Sequence, residues 1–267
     1  MPRIRRVLLA GDLHCGHRVG LTPPGWQLRP IEDEPKRMKW LKIQQECWKW
    51  FAKTINRLKP IEIAVWNGDL IDGTGHRSGG TELICTDRNQ QIEMALKAIR
   101  FVGAQTNIIV AGTPYHSGEQ EDMEELIAAE LHCKFGSHEW LDINGVCFDV
   151  KHFIGASSIP HGRLTALSRD SLWNSLWAEA GDTPKADYIV RSHVHYTTGG
   201  WDFTAGKRVD FFTLPALQAM GTKYGARKCS GKVNFGFHTF DIGKEGVEAW
   251  GMWVPPIESQ KVMALVL

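Results

Sequence analysis

The chain lacks three features that would each assign it to a class of protein. No apolar run approaches the roughly 18 residues that a membrane-spanning helix needs, and residues 1–6 include no cleavable apolar segment. The six cysteines form no Cys-x-x-Cys pair, which argues against a disulfide framework or zinc knuckle and favours reduced thiols in the cytoplasm. Lysine and arginine total 31 against 30 acidic residues, so no overall basic field indicates nucleic-acid binding.

The composition is that of a globular protein of ordinary size. The chain has 267 residues, of which 43% are hydrophobic and 23% are charged, and it is long enough to bury a substantial core. No linker-like stretch, internal repeat or low-complexity segment divides it. We therefore predict a single domain over residues 1–267.

Five short apolar runs are each followed, within three residues, by Gly, Asp or His. The runs are predicted to be strands at 7–10, 61–66, 107–111, 146–150 and 187–190. The polar residues that follow are Asp12 and His14, Asp69, Gly112 to His116, His152, and His193 and His195. The carboxyl ends of strands in α/β sheets meet at one crevice, so we expect these side chains to converge.

Asp12 and His14 illustrate how this pattern gains meaning from its context. Side chains at positions i and i+2 of an extended segment project to the same side, so the two residues could bind one ion together. A lone Asp-x-His triplet is more often a turn residue beside a surface histidine. The other strand ends are what favour a metal site here.

Helices are predicted between these strands, over 36–58, 89–102, 119–131 and 168–180. In the last of them Leu172, Trp173 and Leu176 are predicted to face inward. The C-terminal third has further predicted strands at 208–213, 234–240 and 247–254, which we expect to complete a second sheet. This order predicts an α/β protein with a largely parallel or mixed sheet covered by helices.

Taken in order, the motifs resemble those of calcineurin-like metallophosphoesterases. The family pattern is Asp-x-His, Gly-Asp, Gly-Asn-His followed by an acidic residue, an isolated His, and Gly-His-x-His. The matching segments are Asp12-Leu13-His14, Gly68-Asp69, Gly112 to His116, His152, and His193-Val194-His195. The resemblance covers residues 7–196 and implies two packed mixed β-sheets flanked by helices, a four-layer αββα sandwich.

The resemblance also implies a binuclear metal centre with Asp69 between two ions. The implied ligands are Asp12, His14, Asp69 and His195 for one ion, and Asp69, His152 and His193 for the other. Mixed imidazole and carboxylate ligation favours Mn, Fe, Zn or Ni over Ca or Mg, and two divalent ions, Mn²⁺ before the other three, are the expected cofactors. The family uses such a centre to generate a bridging hydroxide that attacks phosphorus. The implied role of His116 is that of general acid or transition-state stabiliser.

The chain departs from the family pattern at residues 112–116. Gly-Thr-Pro-Tyr-His stands where Gly-Asn-His is usual, so the asparagine that ligates the second metal is missing. Thr113 could offer its hydroxyl as a neutral ligand, His116 could itself bind the metal, or the second site could be weak. Ser117 replaces the acidic residue of this motif, and Ser192 stands where the last motif usually has glycine.

Two loops, at 17–35 and 73–88, leave the predicted crevice, and either surface loops or walls that frame a substrate would explain them. The candidate substrate-binding residues are His17, Arg77 and His161. A local basic stretch at 223–232 contains Lys223, Arg227, Lys228 and Lys232. It would suit DNA or RNA if it faces the crevice.

The leading hypothesis is a metal-dependent phosphoesterase, with phosphodiesters of nucleic acid or nucleotides favoured over phosphomonoesters. The alternative is a metal-binding scaffold or interaction protein that kept the fold and lost turnover, which the missing asparagine motivates. A chance collection of strand-end residues in an unrelated α/β protein is a third explanation. The pattern predicts no membrane partner and does not require a homo-oligomer.

Overall fold

The computed structural model describes residues 4–118, 122–204, 206–221 and 233–261, apart from the side chains of Arg77 and Thr204. The basic stretch at 223–232 lies outside the described residues. The helices are α1 (Pro35–Leu58), α2 (Arg88–Val102), α3 (Pro114–Ser117), α4 (Met123–Glu130) and α5 (Arg163–Ala180). No helix in the described ranges combines the length and apolarity that crossing a membrane requires.

The described strands form two mixed sheets. They are β1 (Arg5–Ala10), β2 (Ile63–Asn67), β3 (Thr106–Val110), β4 (Lys134–Gly136), β5 (His138–Ile143), β6 (Val146–Lys151), β7 (Tyr188–Arg191), β8 (Thr198–Thr204), β9 (Lys207–Thr213), β10 (Phe237–Gly243) and β11 (Gly246–Trp253). The first sheet has the order β11-β10-β1-β2-β3-β4 and the second the order β5-β6-β7-β9-β8. Strands β1 to β4 are mutually parallel, as are β6, β7 and β9, so within each set the carboxyl ends share one edge.

The apolar residues of the strands alternate between two buried faces. On β1, Leu8 and Ala10 pack with the helices of the first sheet, whereas Val7 and Leu9 face the second sheet. On β7, Val190 belongs to the core between the sheets and Ile189 to the core beneath α5. This alternation is expected of strands covered on both sides. The predicted architecture of two mixed sheets flanked by helices is confirmed.

Most predicted elements are present, with some differences at their ends. Helices α1 and α2 match their predictions to within one residue, whereas α4 is shorter than predicted and α5 begins at Arg163 rather than near 168. The elements that the sequence pattern missed are α3, β4, β5 and β8. None of the four is a continuous apolar run of the kind that identified the predicted strands.

The prediction that Leu172, Trp173 and Leu176 face inward is wrong, because all three are about half exposed on α5. The buried face of this helix carries Leu167 together with polar residues, among them Asn174. Asn174 accepts a hydrogen bond from the backbone of Ala186 at 3.0 Å and donates one to Pro184 at 3.1 Å. Specific hydrogen bonds therefore orient α5, in place of the apolar stripe that the sequence suggested.

The C-terminal strands divide between the sheets instead of all completing the second one. Strand β9 joins the second sheet beside β7, whereas β10 and β11 extend the first. Strand β10 pairs antiparallel with β1, and its residues Phe240 and Ile242 enter the core between the sheets from the side of the first sheet. The expectation for 234–240 and 247–254 is corrected accordingly.

Candidate metal centre

The structure brings the six Asp and His residues implied as metal ligands together in two groups. The first group is Asp12, His14 and His195, and the second is Asp69, His152 and His193. Within each group the candidate ligand atoms lie within 4.8 Å of one another. Three of the six follow strands of the first sheet and three follow strands of the second. The centre therefore lies where the carboxyl ends of the strands meet, as predicted.

Five of these six residues have left-handed backbone conformations. The φ angles are 51° for Asp12, 44° for His14, 52° for Asp69, 71° for His193 and 56° for His195. A positive φ is uncommon outside glycine and costs of order 1–3 kcal/mol, and such strain concentrates at functional sites. The extended geometry that we expected for Asp12 and His14 is thus wrong. They still converge, since His14 Nε2 lies 3.8 Å from Asp12 Oδ1.

In the first group, three ligand atoms face one another across a buried space. His195 Nε2 lies 3.3 Å from Asp12 Oδ1 and 3.2 Å from His14 Nε2. His14 Nδ1 is hydrogen-bonded to the Asp72 carboxylate at 2.7 Å, which leaves Nε2 as the lone-pair atom. A carboxylate that is hydrogen-bonded to the other nitrogen of a metal-binding imidazole fixes the tautomer and the orientation of that ring.

The second group is arranged around one oxygen of Asp69. Asp69 Oδ2 lies 3.1 Å from His152 Nε2 and 4.0 Å from His193 Nδ1. His152 Nδ1 donates to the carbonyl oxygen of Asn67 at 2.7 Å, so the Nε2 atom of this ring also keeps its lone pair. The ring is packed tightly, because a Cβ on Gly68 would lie 2.4 Å from His152 Nδ1. Gly68 thus permits the approach of the two sheets.

The two groups leave buried polar atoms without hydrogen-bond partners. These atoms are Asp12 Oδ1, His152 Nε2, His193 Nδ1 and His195 Nδ1. Buried polar groups in folded proteins are almost always paired, and an orphaned atom calls for an ion or a water. Carboxylate and imidazole donors with free lone pairs fit a borderline divalent cation such as Mn, Fe or Zn. The residues present therefore fit the metals that the resemblance implies.

Electrostatics keep the carboxylates of the centre ionised. Burial disfavours charge on both Asp12 and Asp69, yet His195 holds the pKa of Asp12 below its usual range and His152 does the same for Asp69. Burial likewise opposes protonation of His14 and His152, but their carboxylate contacts raise the pKa of each to about 10. A divalent cation bound here would compete with protons for the same imidazole lone pairs.

Thr113 contacts the central carboxylate directly. Its backbone N–H donates to Asp69 Oδ1 at 2.7 Å and its hydroxyl donates to the same oxygen at 3.0 Å. Gly112 allows this approach, since a Cβ there would lie 2.3 Å from the backbone nitrogen of Asp69. The hydroxyl proton of Thr113 thus serves Asp69, and its role as a neutral metal ligand stays a prediction.

His116 also lies near the carboxylate of Asp69. Its Nε2 atom is 4.0 Å from Asp69 Oδ2, and its Nδ1 atom is 3.3 Å from Asp72 Oδ1. The His116 ring also packs against His14, with 4.5 Å between the centroids. Asp72 was missed by the sequence analysis, although its spacing of three from Asp69 after a strand could have indicated it.

Glu124, on α4, was also missed. Its carboxylate is fully buried and accepts the backbone N–H groups of Leu70 and Gly112, each at 2.6 Å. It therefore ties the segment after β2 to the segment after β3, the two that present Asp69 and Thr113. Burial and the nearby charge of Asp69 raise the pKa of Glu124 to about 8. An acidic residue in the first turn of a helix is too common for its sequence position to reveal this role.

The candidate substrate-binding residues are less well placed. His17 is buried, its Nδ1 atom accepts a hydrogen bond from Val19 at 3.2 Å, and burial lowers its pKa to about 4. His161 is exposed in a short turn, Pro160–Gly162. Among the described residues, neither side chain makes a hydrogen bond or ion pair with the six ligands, although the backbone N–H of His17 donates to the carbonyl oxygen of His14 at 2.9 Å. The side chain of Arg77 lies outside the described atoms.

The fold and the site together define an α/β sandwich with a buried Asp/His centre that could hold divalent metal. Solved structures similar to the chain include Entamoeba histolytica Vps29 complexed with Zn²⁺ (TM-score 0.47, 13% identity, 95% of this chain and 99% of that one). An archaeal phosphodiesterase (0.46, 12%, 94% and 99%) and a yellow lupin purple acid phosphatase (0.45, 10%, 91% and 50%) are also similar.

These neighbours have the calcineurin-like metallophosphoesterase fold, the family that the motifs resemble. No protein-family model matches the chain, and no curated protein matches it. The similarity is one of fold, at 10–13% sequence identity.

Proposed function

We propose that the protein is a metal-dependent phosphoesterase that hydrolyses phosphodiesters of nucleic acids or nucleotides. The observation that carries the proposal is the pairing of two adjacent Asp/His groups in which Asp12 Oδ1, His152 Nε2 and His193 Nδ1 are buried without hydrogen-bond partners. Asp12, His14 and His195 would hold one divalent ion, and Asp69, His152 and His193 would hold the other. The two groups adjoin, since Asp12 Oδ1 lies 4.0 Å from His152 Nε2, and Asp69 would be shared between the two ions, as the resemblance implies.

Two divalent ions at this centre would activate a water and neutralise the charge of a phosphoryl group. The protein's own residues supply the rest of the chemistry. His116 faces the centre through Nε2, while its Nδ1 atom lies within 3.3 Å of Asp72. This arrangement suits His116 to give a proton from Nε2 to the leaving-group oxygen. Asp72 keeps the ring in place during that transfer.

We further propose the identity of the metal and the cellular location of the protein. Mn²⁺ is the proposed metal because a mixed His/Asp donor set suits first-row ions, and no residue discriminates among Mn, Fe, Zn and Ni. A cytoplasmic location is proposed on the cysteine content, and the five cysteines in the described ranges are unpaired. A nuclease would need a basic surface beside the centre, and the stretch at 223–232 is the candidate.

The test compares metal content and turnover in four proteins. The wild type, Asp69→Asn, His116→Ala and, as a matched control outside the site, His132→Asn would be purified and their metals quantified by mass spectrometry. Hydrolysis of bis-p-nitrophenyl phosphate, p-nitrophenyl phosphate and single-stranded DNA would then be followed with added Mn²⁺. His116→Ala should keep its metal and lose about 10²–10⁴-fold in kcat, whereas Asp69→Asn should lose metal as well.

The outcomes separate the candidate functions. Faster hydrolysis of the diester than of the monoester supports the proposal, and cleavage of DNA would identify a nuclease. Bound metal with no turnover of any ester would favour the scaffold that lost activity. A chain that binds no divalent ion would exclude both functions.

A further inference from the structure

We propose that Phe153 is a specificity residue that stacks on an aryl or nucleobase group retained on the phosphorus of the substrate. This inference rests on the proposed phosphodiesterase function. Phe153 follows His152 directly and is 55% exposed, although phenylalanine is among the residues most often buried. Its ring centroid lies 4.9 Å from that of His193. An exposed aromatic ring thus borders the candidate metal centre.

Solvent reaches the centre on the side where Phe153 lies. The side chains of Asp12, His14, Asp69 and His152 are at most 2% exposed, whereas that of His193 is 33% exposed. His193 is therefore the ligand that a substrate in solution would meet first. Phe153 packs against this ring, so a substrate that approaches His193 also meets a flat apolar surface.

The position of Phe153 is fixed by the residues on either side of it. His152 is buried and held by its hydrogen bond to Asn67, and Ile154 is buried in the core beneath α5 with Tyr196. With both neighbours anchored inward, the Phe153 side chain is directed outward. A surface fixed in this way can receive a ligand without first being ordered.

The chemistry of the site decides which part of a substrate this surface would meet. His193 Nδ1 and His116 Nε2 each lie 4.0 Å from Asp69 Oδ2. The two rings belong to different parts of the site, because His193 packs against His152 and His116 packs against His14. The leaving oxygen would lie by His116, the proton donor. The substituent near Phe153 is then the one that stays on phosphorus. A diester has such a substituent and a monoester lacks it.

A flat apolar ring beside a phosphate site suits a planar apolar group. Stacking of a base on an aromatic side chain contributes about 1–3 kcal/mol and tolerates any base, because each base presents a π-face. The surface should therefore select for aryl or nucleobase substituents in general, without selecting one base.

The test uses two diesters that share a leaving group. Methyl p-nitrophenyl phosphate and phenyl p-nitrophenyl phosphate both release p-nitrophenolate and differ only in the retained substituent. With Mn²⁺-loaded full-length protein, we expect Phe153→Ala to raise KM for the phenyl ester about tenfold and to leave KM for the methyl ester within about twofold. Phe153→Trp should retain the wild-type preference. Phe203→Ala is the matched control, since Phe203 is also exposed but belongs to edge strand β8.

The possible results separate this inference from the proposed function. If the wild type hydrolyses both esters and Phe153→Ala changes neither KM, or changes both equally, the stacking role is overturned while the phosphodiesterase function stands. If the wild type hydrolyses neither ester, the proposed function fails and this inference fails with it. Equal thermal stability of Phe153→Ala and wild type would exclude misfolding as the cause of a changed KM.

Discussion

His14 Nδ1 lies 2.7 Å from Asp72 Oδ1, and the same oxygen lies 3.3 Å from His116 Nδ1. One buried carboxylate therefore contacts both a candidate metal ligand and the candidate proton donor. The pKa of Asp72 is lowered, because contacts with His17, His116 and His14 outweigh the effect of burial. The charge of Asp72 is thus available to orient both rings.

Replacing Asp72 with Asn should weaken the centre without removing a ligand. The amide preserves the volume but loses the charge that holds the His14 tautomer, and changes of this kind cost about 10–100-fold in metal affinity. Mn²⁺ affinity would be measured by calorimetry and turnover by diester hydrolysis. Asp182→Asn, at an exposed position, is the control. Unchanged affinity and kcat in Asp72→Asn would contradict the orienting role.

Replacing Glu124 with Gln should loosen the segments that carry Asp69 and Thr113. Each of the two carboxylate oxygens of Glu124 accepts one backbone N–H, whereas the glutamine amide has only one oxygen. One backbone N–H would therefore lose its partner, and an unpaired buried donor costs about 1–3 kcal/mol. Urea denaturation should show that loss, and Mn²⁺ affinity should fall with it. The neighbouring exposed Glu125→Gln is the control. A loss of stability with unchanged Mn²⁺ affinity would show that Glu124 has no influence on the centre.

The centre was largely predictable because its ligands sit at strand ends. A parallel strand fixes where its carboxyl end lies, so an apolar run followed by Asp or His places that side chain at one edge of the sheet. His152 and His195 were placed by this reasoning although they are 43 positions apart in the sequence. Local pattern and overall topology agree at these positions.

What the sequence could not reveal depends on contacts between distant segments. Glu124 acts through the backbone of Leu70 and Gly112, and backbone donors leave no trace in a sequence. The exposed face of α5 was mistaken for a buried one because Asn174 and its hydrogen bonds, rather than apolar area, orient the helix. The left-handed φ of Asp12 and its partners is likewise imposed by the surrounding structure.

Arg191 should be essential to the packing of α5. It is 2% exposed and pairs with buried Asp149 on β6 and with Asp170 on α5, each at 2.8 Å. Removing one partner of a buried ion pair leaves an uncompensated charge and costs about 3–5 kcal/mol. Arg191→Ala should lower the free energy of unfolding in urea by that amount.

The matched control for Arg191 is Arg100→Ala. Arg100 pairs with Glu130 at 2.9 Å, but both side chains are more than half exposed. Such surface pairs contribute at most about 1 kcal/mol. Equal losses of unfolding free energy in the two arginine variants would show that the buried Asp149–Arg191–Asp170 network stabilises the protein no more than a surface ion pair does.

His238 should make the protein sensitive to acid. It is fully buried, with Trp250 Nε1 3.4 Å from its Nδ1 atom, Thr197 Oγ1 3.4 Å from its Nε2 atom and the Phe212 ring alongside. Burial lowers its pKa from 6.5 to about 3. Between these pH values the unfolded chain binds a proton at His238 that the folded chain does not bind. The free energy of unfolding should therefore be unaffected by His238 above about pH 6.5 and should fall as the pH drops towards about 3.

The variant His238→Gln removes this titration, so the comparison isolates it. Each pH unit below about 6.5 should cost the wild type about 1.4 kcal/mol more than the variant, until the folded-state pKa is reached. Free energies of unfolding in urea, measured at steps from about pH 7 to about pH 4, give the difference. His161→Gln, at an exposed position, is the control for the substitution itself. Parallel pH dependence of His238→Gln and wild type would contradict the prediction, because His238 would then bind its proton equally in the folded and unfolded chain.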